Sequence, residues 1–147
     1  MGSKVLKQGV LDDLIALRAT VTDKEDRHKL DEAINHLTKS LKPSWWIDSS
    51  HLRPKDGGKV FDEEKAAVMQ LRALINDRKS TVPDAIVQGF IDRIVGADRL
   101  LAVVAIADST KNTAKANEEL RKGDNELAKG HYDRAIDHYK NAWDIAT

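Results

Sequence analysis

The stretch that decides the fold is "IVQGFIDRIVGADRLLAVVAIA", residues 86–107. Thr81 and Pro83 precede it and are suited to the cap and the first turn of a helix. After Phe90, apolar residues occupy almost every side of a helical projection, whereas a helix with one side in water normally keeps a polar stripe. The pattern predicts a central apolar helix surrounded by other helices.

Five other segments carry apolar residues at three- and four-residue spacing, which is typical of amphipathic helices. No segment shows the period of two that indicates a half-buried strand. The chain is therefore predicted to be all-α, a compact bundle of about six helices. Thr22 or Asp23 is the expected cap of the second helix, and Asp62 that of the third. The five segments lie near residues 6–21, 23–41, 62–79, 116–129 and 132–146.

Residues 43–60 show neither period and contain Pro54 and the turn-forming "KDGG" at 55–58, so this segment is expected to be an irregular loop. The opening "MGS" looks like an expression-vector remnant and is left out of the expected fold. A chain of 147 residues suits one domain that buries roughly two-thirds of its unfolded surface. A single helical domain over residues 4–147 is the resulting prediction.

Composition excludes several classes of function. The 24 basic and 24 acidic side chains leave no net charge to attract nucleic acid, so no nucleic-acid partner is expected. The absence of cysteine excludes thiol catalysis, thiolate metal sites and disulfides. The longest apolar run, "LLAVVAIA" at residues 100–107, is much shorter than the roughly 20 residues of a membrane-spanning helix, so no membrane insertion is expected.

Two of the three tryptophans are adjacent in "PSWWIDSSH", residues 43–51. An exposed aromatic pair could stack on a sugar ring or contact a partner, which makes Trp45, Trp46, His51 and Arg53 candidate ligand-binding residues. The simpler interpretation is that the rings cover the end of the bundle and donate an indole N–H to a free helix carbonyl. Since successive residues of a helical turn point about 100° apart, one ring is expected inside and the other at the surface.

Histidines at helical spacing raise the question of a metal site. Glu32 and His36 are four residues apart, and His131 and His138 are seven apart, so each pair could share a helical face. These four residues are the candidate ligands. Neither H-E-x-x-H nor the paired E-x-x-H of di-iron bundles is present, however, which favours histidines at the surface and no cofactor.

Asp98 is the most unusual acid, because it lies within the most apolar helix. A carboxylate buried there must be paired or have a raised pKa, which is also how catalytic acids are made. The favoured interpretation is a buried structural acid that pairs with Arg93, Arg99, another basic side chain or a tryptophan N–H. A hydrolase with Asp98 as its acid is the weaker possibility, because no second acid or nucleophile can be placed beside it.

The stretch "ELAKGHYDRAIDHYKNAWDIA", residues 126–146, resembles one tetratricopeptide hairpin. The small and large residues that carry this resemblance are Ala128, Gly130, Tyr132, Ala135, Ile136, Tyr139 and Ala142. Such residues allow two antiparallel helices to approach closely. The stretch stands alone, without the neighbouring units of a peptide-binding array, so the resemblance implies a helical hairpin and no array.

A broader resemblance runs through "FDEEKAAVMQL", "IDRIVGADRLLAVVAIADS" and "ELRKGDNELAKGHYDRAIDHYKNAW". Together these look like a helical module found toward the C-terminal ends of large, exported bacterial surface proteins, a family without a known activity. The resemblance implies an extracellular or cell-surface location, with a protein or a cell-surface component as partner.

These observations lead to one expectation about function. The chain is expected to be a non-enzymatic structural or interaction module of a larger, exported bacterial protein. The alternative is a small-molecule or metal-binding helical bundle that uses Trp45, Trp46 and the histidines.

Overall fold

The computed structural model describes all 147 residues and contains six α-helices and no β-strand. The all-α prediction is confirmed. The helices form a compact bundle in which 31 buried hydrophobic residues make one continuous core. The helices are α1 (Ser3–Arg18), α2 (Lys24–Ser40), α3 (Gly57–Asn76), α4 (Asp84–Asp108), α5 (Ala114–Ala128) and α6 (Tyr132–Ala146).

Local signals explain where several helices begin and end. The side chain of Asp23 accepts a hydrogen bond of 3.0 Å from the backbone N–H of Asp26, so Asp23 is the cap of α2, one of the two expected residues. Gly130 has a φ of 75°, the left-handed conformation that glycine adopts without strain after a helix end. This residue therefore ends α5 and allows α6 to return alongside it.

The segment before α3 is shorter than expected, because α3 begins at Gly57 and not at Asp62. Residues 43–60 are therefore not wholly irregular: a 3₁₀ turn covers Pro43–Trp45, and the chain then folds back on itself. The N–H of Arg53 donates to the carbonyl of Trp45 at 2.9 Å. The prediction failed here because two consecutive glycines normally indicate a turn. At this position, a glycine is instead required by the close contact of Gly57 with Trp143.

Helix α4 packs against α1, α3 and α6, and more lightly against α5. The expectation that it is surrounded on all sides is not confirmed, because one flank is exposed at Ile86, Arg93, Gly96 and Ala107. This flank is partly apolar in composition although it is exposed: it carries Gly96 and Ala107, and Ile86 is 46% exposed. For this reason, the sequence pattern could not distinguish an exposed flank from a buried one.

The first residues belong to the fold, in contrast to the expectation that excluded them. Ser3 is the first residue of α1 and is fully buried, and its hydroxyl donates to the carbonyl of Ala97 in α4 at 2.9 Å. The N–H of Lys4 donates to the carbonyl of Ser49 at 2.9 Å. The start of α1 is thus fixed to both α4 and the segment that follows the tryptophan pair.

Helices α5 and α6 form an antiparallel hairpin. Gly123 of α5 lies against the ring of Tyr139 of α6, and the hydroxyl of Tyr139 donates to Asp124 at 2.6 Å. The stretch that resembles a tetratricopeptide hairpin, residues 126–146, contains only the last three residues of α5, so it includes one complete helix instead of two. None of the six helices has the length and apolar character needed to cross a bilayer.

Candidate functional site

Three charged side chains meet in the centre of the bundle. Nζ of Lys7 in α1 lies 2.7 Å from Oε1 of Glu64 in α3 and 2.9 Å from Oδ1 of Asp98 in α4. All three side chains are fully inaccessible to solvent. We call these residues the buried charged cluster. The partner of Asp98 is thus Lys7, and not Arg93 or Arg99: Arg93 pairs with Asp13, and Arg99 with Asp124.

Helical register places these groups in the core. Lys7 is three residues before Val10 and seven before Leu14, both fully buried, so Lys7 lies on the inner face of α1. Glu64 is likewise four residues after Val60 and seven before Leu71, on the inner face of α3. Because α4 packs against both α1 and α3, the three inner faces converge at Asp98.

Burial and mutual charge change the pKa values within the cluster. Burial raises the pKa of Glu64 well above its ordinary value of 4.5, and the charge of Asp98 adds to this increase, whereas Lys7 opposes it. Desolvation lowers the pKa of Lys7, but Asp98 and Glu64 raise it by more, so the net direction is upward. One ammonium and two carboxylates would leave a net negative charge in the core. Protonation of Glu64 removes that charge.

Trp46 covers the buried charged cluster. It is 3% exposed, and Nζ of Lys7 lies 5.1 Å from the centroid of its ring, within the range of a cation–π interaction. Its indole N–H donates to the carbonyl of Ser40 at 2.8 Å, at the last residue of α2. Trp46 thus closes the core and satisfies a helix-end carbonyl at the same time.

Trp45 lies at the surface and is half-buried. The ammonium groups of Lys42 and Lys59 lie 5.7 and 5.9 Å from its ring centroid, so flexible lysines flank it. Arg53 is exposed, and neither it nor either of the paired tryptophans lines a cavity. Of the four candidate ligand-binding residues, the structure places only His51 in a groove.

That groove lies between the segment after Trp46 and the C-terminal ends of α4 and α6. It encloses about 460 Å³, within the range of small-molecule sites. We call it the terminal groove. Its lining comprises Ile47, Ser50, His51, Leu52, Pro54, Leu101, Ala105, Asp108, Ser109, Thr110, Lys111, Trp143, Ala146 and Thr147. The third tryptophan, Trp143, therefore lines the groove instead of the adjacent pair.

His51 bridges two carboxylates at the rim of the terminal groove. Its Nε2 lies 2.6 Å from Asp108, and its Nδ1 lies 2.9 Å from Asp48. Asp108 and Asp48 both raise the pKa of His51 above its ordinary value of 6.5. Because the carboxylates contact opposite nitrogens of the ring, they cannot converge on one metal ion. The bridge instead connects the end of α4 to the segment after Trp46.

The candidate metal ligands are not brought together. Nδ1 of His36 lies 2.7 Å from Glu63, with Glu32 more distant at 3.9 Å from Nε2. His131 pairs with Glu126, and His138 with Glu119, each at 2.6 Å. No three histidine, aspartate or glutamate side chains are arranged to hold an ion. The structure therefore does not bring these four residues together in one site.

Sequence reasoning missed four residues of these arrangements: Lys7, Glu64, Asp48 and Asp108. A signal existed for two of them, because Lys7 and Glu64 occupy apolar helical faces in the printed sequence, as Asp98 does. No signal existed for the two aspartates, since their contact with His51 depends on how the segment after Trp46 folds.

Comparisons with models of known protein families, with characterised proteins and with solved structures found no significant match.

Proposed function

We propose that this chain is a non-enzymatic structural and interaction module of a larger, exported bacterial protein, and that it contacts its partner through the terminal groove. The observation that carries the proposal is that the buried charged cluster is inaccessible to a ligand, whereas the terminal groove is open. The charged side chains of Lys7, Glu64 and Asp98 are sealed in the core, whereas the open groove presents an apolar floor. Such an arrangement suits binding better than turnover.

The terminal groove has the composition of a recognition surface. Trp143, Leu101 and Leu52 give it an apolar floor, while Lys111 and the carboxylates around His51 supply charge at its rim. Ile47 stands at the edge with 58% of its surface exposed. Exposed apolar groups beside buried aromatic ones are typical of protein-binding sites. A protein segment or a cell-surface component is the partner that this proposal and the family resemblance favour.

The test is a binding screen with the purified chain against peptide and glycan arrays, the latter including soluble peptidoglycan fragments. Ile47→Glu places a charge at the rim of the groove. Ile15→Glu is the matched control, because Ile15 is 50% exposed on α1, outside the groove. We expect at least one ligand class whose binding is lost in Ile47→Glu and retained in Ile15→Glu. Equal effects of the two variants, or no binding at all, would contradict the proposal.

Two further observations bear on the module and its location. A parent reading frame with an export signal and further domains is expected. A frame that encodes only these residues, without an export signal, would contradict the module proposal. Turnover of any substrate by the purified chain would contradict its non-enzymatic character.

A small-molecule binding bundle is the second candidate, and the volume of the terminal groove is the observation that favours it. A ligand that binds only the folded state must raise the midpoint of thermal unfolding. A small-molecule library screened by thermal shift would therefore give hits that Ile47→Glu abolishes. The same measurement with a chelator tests whether the bundle binds a metal ion. An unchanged midpoint would exclude a tightly bound structural ion.

A further inference from the structure

The buried charged cluster has the components of a condensation reaction. A primary amine, Nζ of Lys7, lies 2.9 Å from an oxygen of the Asp98 carboxyl group, and a second carboxyl group, that of Glu64, lies 2.7 Å from the same nitrogen. We propose that Lys7 and Asp98 form an intramolecular isopeptide bond, with Glu64 as the catalytic acid and base. This proposal does not depend on the function proposed above.

The reaction balances without any further reagent. The Lys7 ammonium transfers a proton to the Asp98 carboxylate, which leaves a neutral amine and a neutral acid. Nζ then forms a bond to Cγ of Asp98. The Glu64 carboxyl group donates its proton to the departing oxygen as the C–O bond breaks, and accepts a proton from Nζ. The sum is ammonium plus carboxylate giving amide plus water, and Glu64 returns to its original state.

Geometry favours this reaction, because helix packing holds the reacting atoms together. Nζ lies 2.9 Å from Oδ1 of Asp98, and Cγ, the atom that it attacks, is bonded to that oxygen. Groups that are held close together in a fixed orientation react as if at very high concentration. Oε1 of Glu64 and Oδ1 of Asp98 contact the same nitrogen of Lys7, at 2.7 and 2.9 Å, so the two carboxyl groups are neighbours, as a proton relay requires. Catalytic acids and bases act at roughly 2.6–3.2 Å from the atom that they protonate or deprotonate. The Glu64–Lys7 separation falls within that range.

The surroundings act on the reactants in two opposite ways. Burial penalises both ions, because neither is solvated there, whereas the two carboxyl groups raise the pKa of Lys7, so the proton leaves Nζ only in the reacting step. Burial also raises the pKa of Glu64, which favours the protonated carboxyl group that can donate to the departing oxygen. The complete exclusion of solvent from all three side chains opposes hydrolysis of the amide once it has formed.

The assignment of Asp98 as the acyl donor follows from the side-chain lengths. Asp98 is short and is fixed on α4, whereas Glu64 has one more rotatable bond, which allows its carboxyl group to move between the nitrogen and the departing oxygen. The resulting bond would join the first helix to the fourth. A chain without cysteine would thus acquire a covalent cross-link that needs no oxidant.

The mass of the intact, denatured full chain tests the proposal directly. We expect a mass lower by one water than the sequence requires, with the Lys7→Arg variant, corrected for its substitution, as the reference. Tryptic digestion should yield one branched product in which residues 5–18 are joined to residues 94–99, with Lys7 uncleaved. A wild-type chain of full mass, or a water loss that maps elsewhere, would overturn the proposal, whether or not any variant folds.

Two variants assign the roles. Asp98→Asn should form the same amide with loss of ammonia, so that its cross-linked mass equals that of the cross-linked wild type. A branched product at residue 64 instead would overturn the assignment of Asp98. Glu64→Gln should keep its full mass, with circular dichroism to confirm that it is helical. A folded Glu64→Gln chain that cross-links as completely as the wild type would remove Glu64 from the mechanism.

Discussion

Gly57, the first residue of α3, lies in direct contact with the indole ring of Trp143 in α6. A Cβ at this position would overlap with Cη2 and Cζ2 of that ring and would lie 2.9 Å from Cβ of Leu52. The contact joins three parts of the chain: the start of α3, the end of α6 and the segment after the tryptophan pair. Trp143 is 3% exposed, so its ring has little freedom to move aside.

Gly57→Ala is therefore expected to destabilise the fold by about 1–3 kcal/mol, the usual cost of adding a methyl group to a well-packed core. Gly58→Ala is the matched control, because a Cβ there would meet only the flexible end of Lys140, at 3.3 Å. Its effect should remain within about 0.5 kcal/mol. Urea unfolding of the two variants measures the difference. Equal stabilities would mean that the Gly57–Trp143 contact is unimportant.

The two adjacent tryptophans should differ strongly in their contribution to stability. Trp46→Phe removes the hydrogen bond to the Ser40 carbonyl and leaves a gap above Lys7, so a loss of about 1–3 kcal/mol is expected. Trp45→Phe affects a half-buried ring flanked by lysines, and should change stability by less than about 0.5 kcal/mol. Chemical unfolding followed by far-ultraviolet circular dichroism provides both values. A larger effect at Trp45 would reverse the assignment of inner and outer ring.

The His51 bridge should make stability depend on pH near neutrality. Asp108 and Asp48 raise the pKa of His51 in the folded state. The stability that the bridge contributes is thus fully present below the pKa of His51 in the unfolded chain, about 6.5. It is lost as the pH rises through the higher pKa of the folded state. Asp108→Asn should lower the pKa of His51, because Asp108 is the largest cause of the shift. Nuclear magnetic resonance titration of the imidazole measures this, with Asp12→Asn on the exposed face of α1 as the control.

The stability that Asp26 contributes should depend on pH in the opposite direction to that of His51. Burial acts to raise the pKa of Asp26. Hydrogen bonds from the backbone N–H and hydroxyl of Thr81, at 2.8 and 2.7 Å, outweigh burial, so the pKa lies below its ordinary value of 3.8. This contribution to stability is present above the pKa of Asp26 in the unfolded chain, and is lost as the pH falls through the lower pKa of the folded state. Thr81→Val should therefore reduce the loss of stability on acidification. Thr38→Val, whose hydroxyl bonds only the carbonyl of Ile34, should leave the acid profile unchanged.

Glycines in two helices should respond to alanine in opposite ways. A Cβ on Gly123 would lie 2.5 Å from Cε1 of Tyr139, whereas one on Gly96 would meet nothing within 4 Å. Gly123→Ala should push α5 away from α6 and lower the melting temperature. Gly96→Ala should raise it, since alanine stabilises a helix interior by about 0.5–1 kcal/mol relative to glycine. Differential scanning calorimetry compares the two, and a stabilising Gly123→Ala would contradict the hairpin packing.

Much of the fold could be predicted because helix formation leaves local signals. Asp23 before α2, Pro83 before α4 and Gly130 after α5 act through their own backbone and nearest neighbours, so they can be identified without tertiary information. Gly57 could not, because its role depends on Trp143, which is distant in the sequence. The exposed flank of α4 was missed for a related reason: glycine and alanine occur both in cores and on surfaces.

The arrangement of polar side chains was less predictable than the helices. Asp98 stands out in the sequence because its own helix is so apolar, yet its partner, Lys7, comes from another helix, and spacing along a chain does not reveal which inner faces meet. The histidines illustrate the same limit. His131 pairs with Glu126 and His138 with Glu119, and these pairs are not related by the spacings that suggested a metal site.

Both ends of the chain reach the same segment of the protein, and this has a mechanical consequence. The N–H of Lys4 is bonded to the carbonyl of Ser49, and Thr147 borders the groove that also contains Ser50. A stretching force applied through the two termini would therefore peel α1 from the bundle one turn at a time, instead of shearing whole helices past one another. An amide at Lys7 would stop the unzipping of α1 near its second turn, so the rest of α1 should stay attached under a force that removes it in the Lys7→Arg counterpart.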